Sequence, residues 1–113
     1  MCWRSTTLAA LLPLAFVAQT ASPATPAVPA STHQVDIRSF QFRPQRIVVA
    51  AGATVTWTNH DEEPHVVTSA GGQFKSSPAL DTDDHYSTVF TKPGTYTYYC
   101  SIHPQMTGTI VVR

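Results

Sequence analysis

A chain of 113 residues and 12.3 kDa has room for one domain. Seven Lys/Arg against seven Asp/Glu leave a formal net charge of zero, which argues against a nucleic-acid binder working through a broad basic field. Hydrophobic residues at 42% are too many for a fully disordered chain, and two cysteines, Cys2 and Cys100, are too few for a disulfide-stapled mini-protein.

The first element is not part of a fold. Met1 to Arg4 carries one positive charge, and Thr7 to Ala18 is then largely apolar through Leu8, Leu11, Leu12, Leu14, Phe16 and Val17. The run is too short to span a bilayer comfortably and matches the n- and h-regions of a secretory signal peptide, residues 1–21, with cleavage between 18 and 24. An uncleaved anchor is the alternative. Residues 22–32 (SPATPAVPAST) form an extended Pro/Ala/Ser/Thr-rich linker, and the domain occupies residues 33–113. Loss of the leader removes Arg4 and Cys2. Six basic residues then face seven acidic ones, and Cys100 stands alone as a linking, inert or metal-binding thiol.

From His33 onward the chain reads as an all-β sandwich. Short runs rich in Val, Ile, Thr, Phe and Tyr are separated by turn signals at Pro44, Gly52, Asp61–Pro64, Gly71-Gly72, Pro78, Pro93-Gly94, Pro104 and Gly108. In the first run Val35 and Ile37 occupy odd positions and Phe40 and Phe42 even ones, so a bulge or bend near Ser39 is needed to keep both pairs inside. Val55 and Trp57 share one face of the next clear strand. Tyr96, Tyr98 and Cys100 share a face further on, as do Ile110 and Val112 in the last run. No amphipathic helix follows residue 30.

The chemistry-bearing residues collect near the end. Cys100, His103 and Met106 are spaced C-x-x-H-x-x-M, and His65 follows Pro64 after an acidic turn. Taken singly, each has a bland reading: a core thiol, solvated histidines, a packing methionine. Together they supply one thiolate, two imidazoles and one thioether, a donor set that suits copper in both of its common oxidation states. Cys100 ends a strand, and a tight loop with Pro104 and Gly108 would return His103 and Met106 to the same point. The Asp61–Pro64 turn would bring His65 there from another strand.

The segments V-T-W-T-N-H-D-E-E-P-H, F-T-K-P-G-T-Y-T-Y-Y-C and C-S-I-H-P-Q-M-T-G-T-I-V-V resemble the cupredoxins, the blue copper family that includes amicyanin, plastocyanin and pseudoazurin. The resemblance runs from about Val35 to Val112. It implies a Greek-key β-sandwich with one type 1 copper held by His65, Cys100, His103 and the axial thioether of Met106. It also implies a corner tyrosine at Tyr96 and an exposed aromatic at Tyr99. The family pattern has Asn directly after the first histidine, where this chain has Val66. Ser101 would then lack its cross-loop partner, unless Asn59 substitutes.

These readings imply an electron carrier and not an enzyme. It would be an exported, periplasmic monomer that meets redox protein donors and acceptors transiently and binds neither nucleic acid nor, after cleavage, membrane. Copper storage or delivery through the same ligands is the alternative, and a metal-free interaction module is a third. His103 is the expected route for the electron, ringed by Ile102, Pro104 and Met106 as a small apolar docking patch. The acidic runs Asp61–Glu63 and Asp81–Asp84 read as solvated turns, with steering of a basic partner as the other possibility. His60 and His85 invite a second metal site but read more simply as exposed.

Overall fold

The computed structural model describes Met1, residues 7–20, Ser22 and residues 31–113. The charged start of the expected leader, Cys2 and most of the linker lie outside the described residues. Residues 7–20 adopt neither helix nor strand, and Leu8, Leu11, Leu12, Leu14, Phe16 and Val17 are all exposed. No described helix is long and apolar enough to cross a membrane.

Eight strands follow: β1 (Thr32–Arg38), β2 (Gln41–Arg43), β3 (Arg46–Val49), β4 (Ala53–Asn59), β5 (Thr68–Ser69), β6 (His85–Phe90), β7 (Gly94–Cys100) and β8 (His103–Val112). They form two four-stranded sheets, β2-β1-β4-β6 and β3-β8-β7-β5, in the expected Greek-key sandwich. Each sheet contains one parallel pair, β1 with β4 and β3 with β8, and the other neighbours are antiparallel.

Period-two patterning decides what is buried. Along β4 every second residue, from Ala53 through Val55 and Trp57 to Asn59, is buried. Val35 and Ile37 of β1 join them from one sheet; Tyr98, Cys100, Ile110 and Val112 close the core from the other. Each such large apolar side chain contributes about 1.5–3 kcal/mol on leaving water. Trp57 is the centre of this packing. Its ring meets Tyr98 edge-on at 5.4 Å across the two sheets and Phe90 at 6.4 Å. Phe42 packs edge-on against Tyr98 at 4.7 Å.

Two expected turns resolve differently. The bend at Ser39 is a complete reversal: Ile37 pairs with Phe42 and Arg38 with Gln41. Phe42 is therefore buried, but Phe40 sits in the turn itself, outside the sandwich core. Ser39 and Phe40 both adopt left-handed backbone, at φ 51° and 57°, the form a two-residue hairpin needs to match strand twist. Neither is glycine, so the turn carries strain of order 1–3 kcal/mol per residue.

The loop after Cys100 is shorter than its Pro and Gly suggest. Only Ser101 and Ile102 lie between β7 and β8, and Cys100 pairs with His103 beside a register irregularity. Gly108 is a strand residue opposite Tyr98. A Cβ there would clash with Cζ of the Tyr98 ring, so the missing side chain is what admits the tyrosine. Tyr96 turns a corner as the resemblance implies, its hydroxyl donating to the Lys92 carbonyl at 2.7 Å, though the ring is only half-buried.

Candidate metal centre

The end of β7, the start of β8 and the segment after β4 converge at one pole of the sandwich. Cys100 is held by the sheet and is fully buried. His103 opens the adjoining strand, directly after the two-residue turn. His65 arrives on the chain between β4 and β5, where its N–H and C=O exchange hydrogen bonds with Leu80 at 3.1 and 2.8 Å.

The donor atoms gather closely. His65 Nδ1 and His103 Nδ1 are 3.2 Å apart, and they stand 3.9 and 3.7 Å from Cys100 Sγ. A borderline-soft ion bonded in the plane of three such donors at about 2.0–2.3 Å would space them by about 3.5–4.0 Å, so the set fits a trigonal metal with little movement. It is the one cluster of three or more candidate ligand residues among the described residues. Met106 is nearby and only 2% exposed. It therefore adds nothing to the outer apolar patch expected around His103. Ile102, 50% exposed, and Phe40, 38% exposed, are the large apolar side chains that do. Beside Met106 lies a cleft of about 240 Å³ lined by three carboxamides, Gln41, Gln45 and Gln105, together with Phe40, Phe42 and Thr107.

The next layer explains how these atoms stay in place. Val66 N–H donates to Cys100 Sγ at 3.3 Å, so the residue that departs from the family pattern still contributes through its backbone. Asn59 does not take over the cross-loop role. Its Nδ2 donates to the carbonyls of Glu63 and Leu80, at 2.8 and 2.9 Å, and its Oδ1 accepts the Asp61 N–H at 2.9 Å. Asn59 thus braces the segment that delivers His65 and leaves the Cys100–Met106 hairpin to its own strand pairing.

Asp61 is not the solvated turn residue that its acidic run suggests. Its Oδ2 faces His65 Nε2 at 2.9 Å. With Nε2–H donating there, the Nδ1 lone pair of His65 is left free for a metal. The same carboxylate accepts the backbone N–H groups of Ser39 and Phe40 at 2.7 and 2.9 Å. Burial pushes the Asp61 carboxyl up, but the Phe40 and Ser39 donors and the His65 imidazole outweigh it, and its pKa lies below the ordinary carboxylate value. Phe40, missed as a site residue, stands edge-on to His65 at 5.2 Å and to His103 at 4.9 Å. The other acidic run stays a turn: Asp81, Asp83 and Asp84 are exposed, and Asp81 N–H donates to Asp84 Oδ2. His60 pairs with Asp36 at 2.8 Å and His85 is exposed; neither belongs to a metal-ligand cluster.

A greasy two-sheet sandwich with a thiol and two imidazoles converging at one pole defines the mononuclear copper class of small β proteins. The family model described as a cupredoxin-like domain matches residues 7–112. Amicyanin-alpha of Methylorubrum extorquens is 36% identical over 118 residues, covering 96% of this chain and 95% of that protein. Plastocyanin of Scenedesmus fuscus is 33% identical over 90 residues, covering 69% and 92%. A solved purple cupredoxin from Nitrosopumilus maritimus superposes with a TM-score of 0.67 at 35% identity, covering 72% of this chain and 99% of that one. The chain belongs to the cupredoxin family, and its cofactor is a single copper.

Proposed function

We propose that this protein is an exported one-electron carrier in which His65 Nδ1, Cys100 Sγ and His103 Nδ1 would hold copper, with the Met106 thioether as a weaker fourth donor. The observation that carries the reading is the approach of three donors of that chemistry to within 3.2–3.9 Å of one another on a rigid frame. Copper, when bound, supplies a centre that gains and loses one electron. The chain supplies the rest. The core fixes Cys100; Asn59, Asp61 and the Leu80 bridge fix His65; strand pairing fixes His103. A site that holds its donors still in both oxidation states has little to reorganise on electron transfer. The role in this reading is electron carriage and not catalysis, since it calls for no substrate. Redox partners, donor and acceptor, would dock briefly at the pole where Ile102 and Phe40 are exposed near His103.

The test is the visible spectrum of the copper-loaded protein. An intense charge-transfer band, lost on reduction and restored on oxidation, supports the carrier. Copper that passes to a competing chelator without reversible redox chemistry overturns it in favour of copper handling. The exported, periplasmic location rests on the apolar run at residues 7–18, and the mass of the mature chain tests it. Removal of the leader with cleavage between 18 and 24 is expected, and a mature chain that still begins at Met1 would count against it.

A further inference from the structure

One carboxylate joins the segment carrying His65 to a turn that carries no metal donor. Asp61 holds the N–H groups of Ser39 and Phe40 while its Oδ2 also meets His65 Nε2. The turn it grips is strained, with two consecutive non-glycine residues in left-handed backbone. Such backbone persists only where its surroundings hold it. What the turn achieves is the placement of one ring. Phe40 leaves the sandwich core and stands nearly perpendicular to both imidazoles, at 87° to His65 and 89° to His103. Among the described residues the side-chain hydrogen-bonding contacts of the His103 ring are confined to Nδ1, which faces His65 and Cys100; Phe40 is the aromatic contact on that ring from outside the donor set.

We propose that Phe40 is a retaining lid over His65 and His103, and that Asp61 keeps it closed through the backbone of the Ser39–Phe40 turn. Both are positioning residues and neither donates to the metal. The lid hinders rotation of the His103 ring out of the donor set and entry of foreign ligand atoms between the histidines. The inference rests on the copper reading of the site.

Retention is measured by copper release from the reduced, loaded protein to an excess of a bidentate Cu(I) chelator, followed by the absorbance of the chelate. Phe40→Ala is expected to speed release by about tenfold. Asp61→Ala should do at least as much, since it also strips His65 Nε2 of its partner, and replacing Phe40 in that background should speed release by clearly less than tenfold, because the lid has already lost its hold. Phe40→Tyr, which keeps the ring, should restore slow release. Apo-protein melting midpoints close to that of the parent chain would separate a lid from a fold defect; if Phe40→Ala does not fold, Phe40→Leu carries the same expectation. Release from the lidless variant at the parent rate overturns the proposal, as does a double variant in which the two accelerations multiply. A parent protein that takes up no copper would instead overturn the site itself.

Discussion

His65 and His103 present the same ring atom to the same point, yet they are held in opposite ways. His65 is fully buried, tied to Leu80 by two backbone bonds and to Asp61 through its far nitrogen, on a segment braced by Asn59. His103 is half-buried and follows a two-residue turn, placed by its pairing with Cys100 and touched from outside the site by Phe40. One histidine is fixed by hydrogen bonds that reach across the molecule, the other by a single hairpin. The contrast suits a centre in which one side preserves geometry while the other faces partners.

The largest expected effect removes the atom common to both sides. Cys100→Ser should abolish the charge-transfer band of the copper-loaded protein, because the thiolate is gone. A variant that keeps the band would sink the ligand assignment.

Next comes the bracing of the His65 side. Asn59→Ala strips partners from the buried carbonyl of Leu80, the carbonyl of Glu63 and the N–H of Asp61, and should cost about 3 kcal/mol in urea unfolding. Ser101→Ala, in the exposed turn on the His103 side, should cost less than about 0.5 kcal/mol. Equal costs would erase the comparison.

The hairpin side has its own weak point in the core. Gly108→Ala places a methyl group against the Tyr98 ring and should destabilise by about 2 kcal/mol, read by the same unfolding curves. Tyr98→Phe should leave that clash in place, since the ring remains.

The smallest effect is alkaline. Burial pushes Tyr98 up to about 12, more than the neighbouring Trp57 indole lowers it. A group whose folded pKa lies above its ordinary value of 10 stabilises fully below pH 10 and loses that contribution as pH rises toward 12. Stability should therefore fall by on the order of 2 kcal/mol across that window. Tyr98→Phe should show a shallower decline, and matching slopes for the two proteins would contradict the assignment.

Residue type and strand alternation made much of this architecture legible beforehand. Val55 and Trp57 alternate on β4 as read, and C-x-x-H-x-x-M places three candidate donors by chemistry alone. What escaped the sequence shares a physical cause. The Ser39–Phe40 reversal has no glycine to announce it, because a distant carboxylate holds the strained backbone. Asp61 looks like any acid in a turn until the chain folds; its spacing of four from His65 was the available hint. Asn59 reads from sequence as a candidate for the cysteine loop and braces the other one, a choice fixed by which carbonyls its Nδ2 meets. Gly108 read as a loop residue, since the need for an absent Cβ arises only when Tyr98 pairs opposite it.

The parallel strand pairs settle where the domain can be leashed. β1 enters beside Thr54, and Arg113 leaves beside Ala51. Both strands carrying the ends, β1 and β8, run the full height of the sandwich, so each end emerges at the pole away from the histidines. A tether, a fusion partner or an electrode linker attached at either end would leave the copper pole pointing outward and unobstructed.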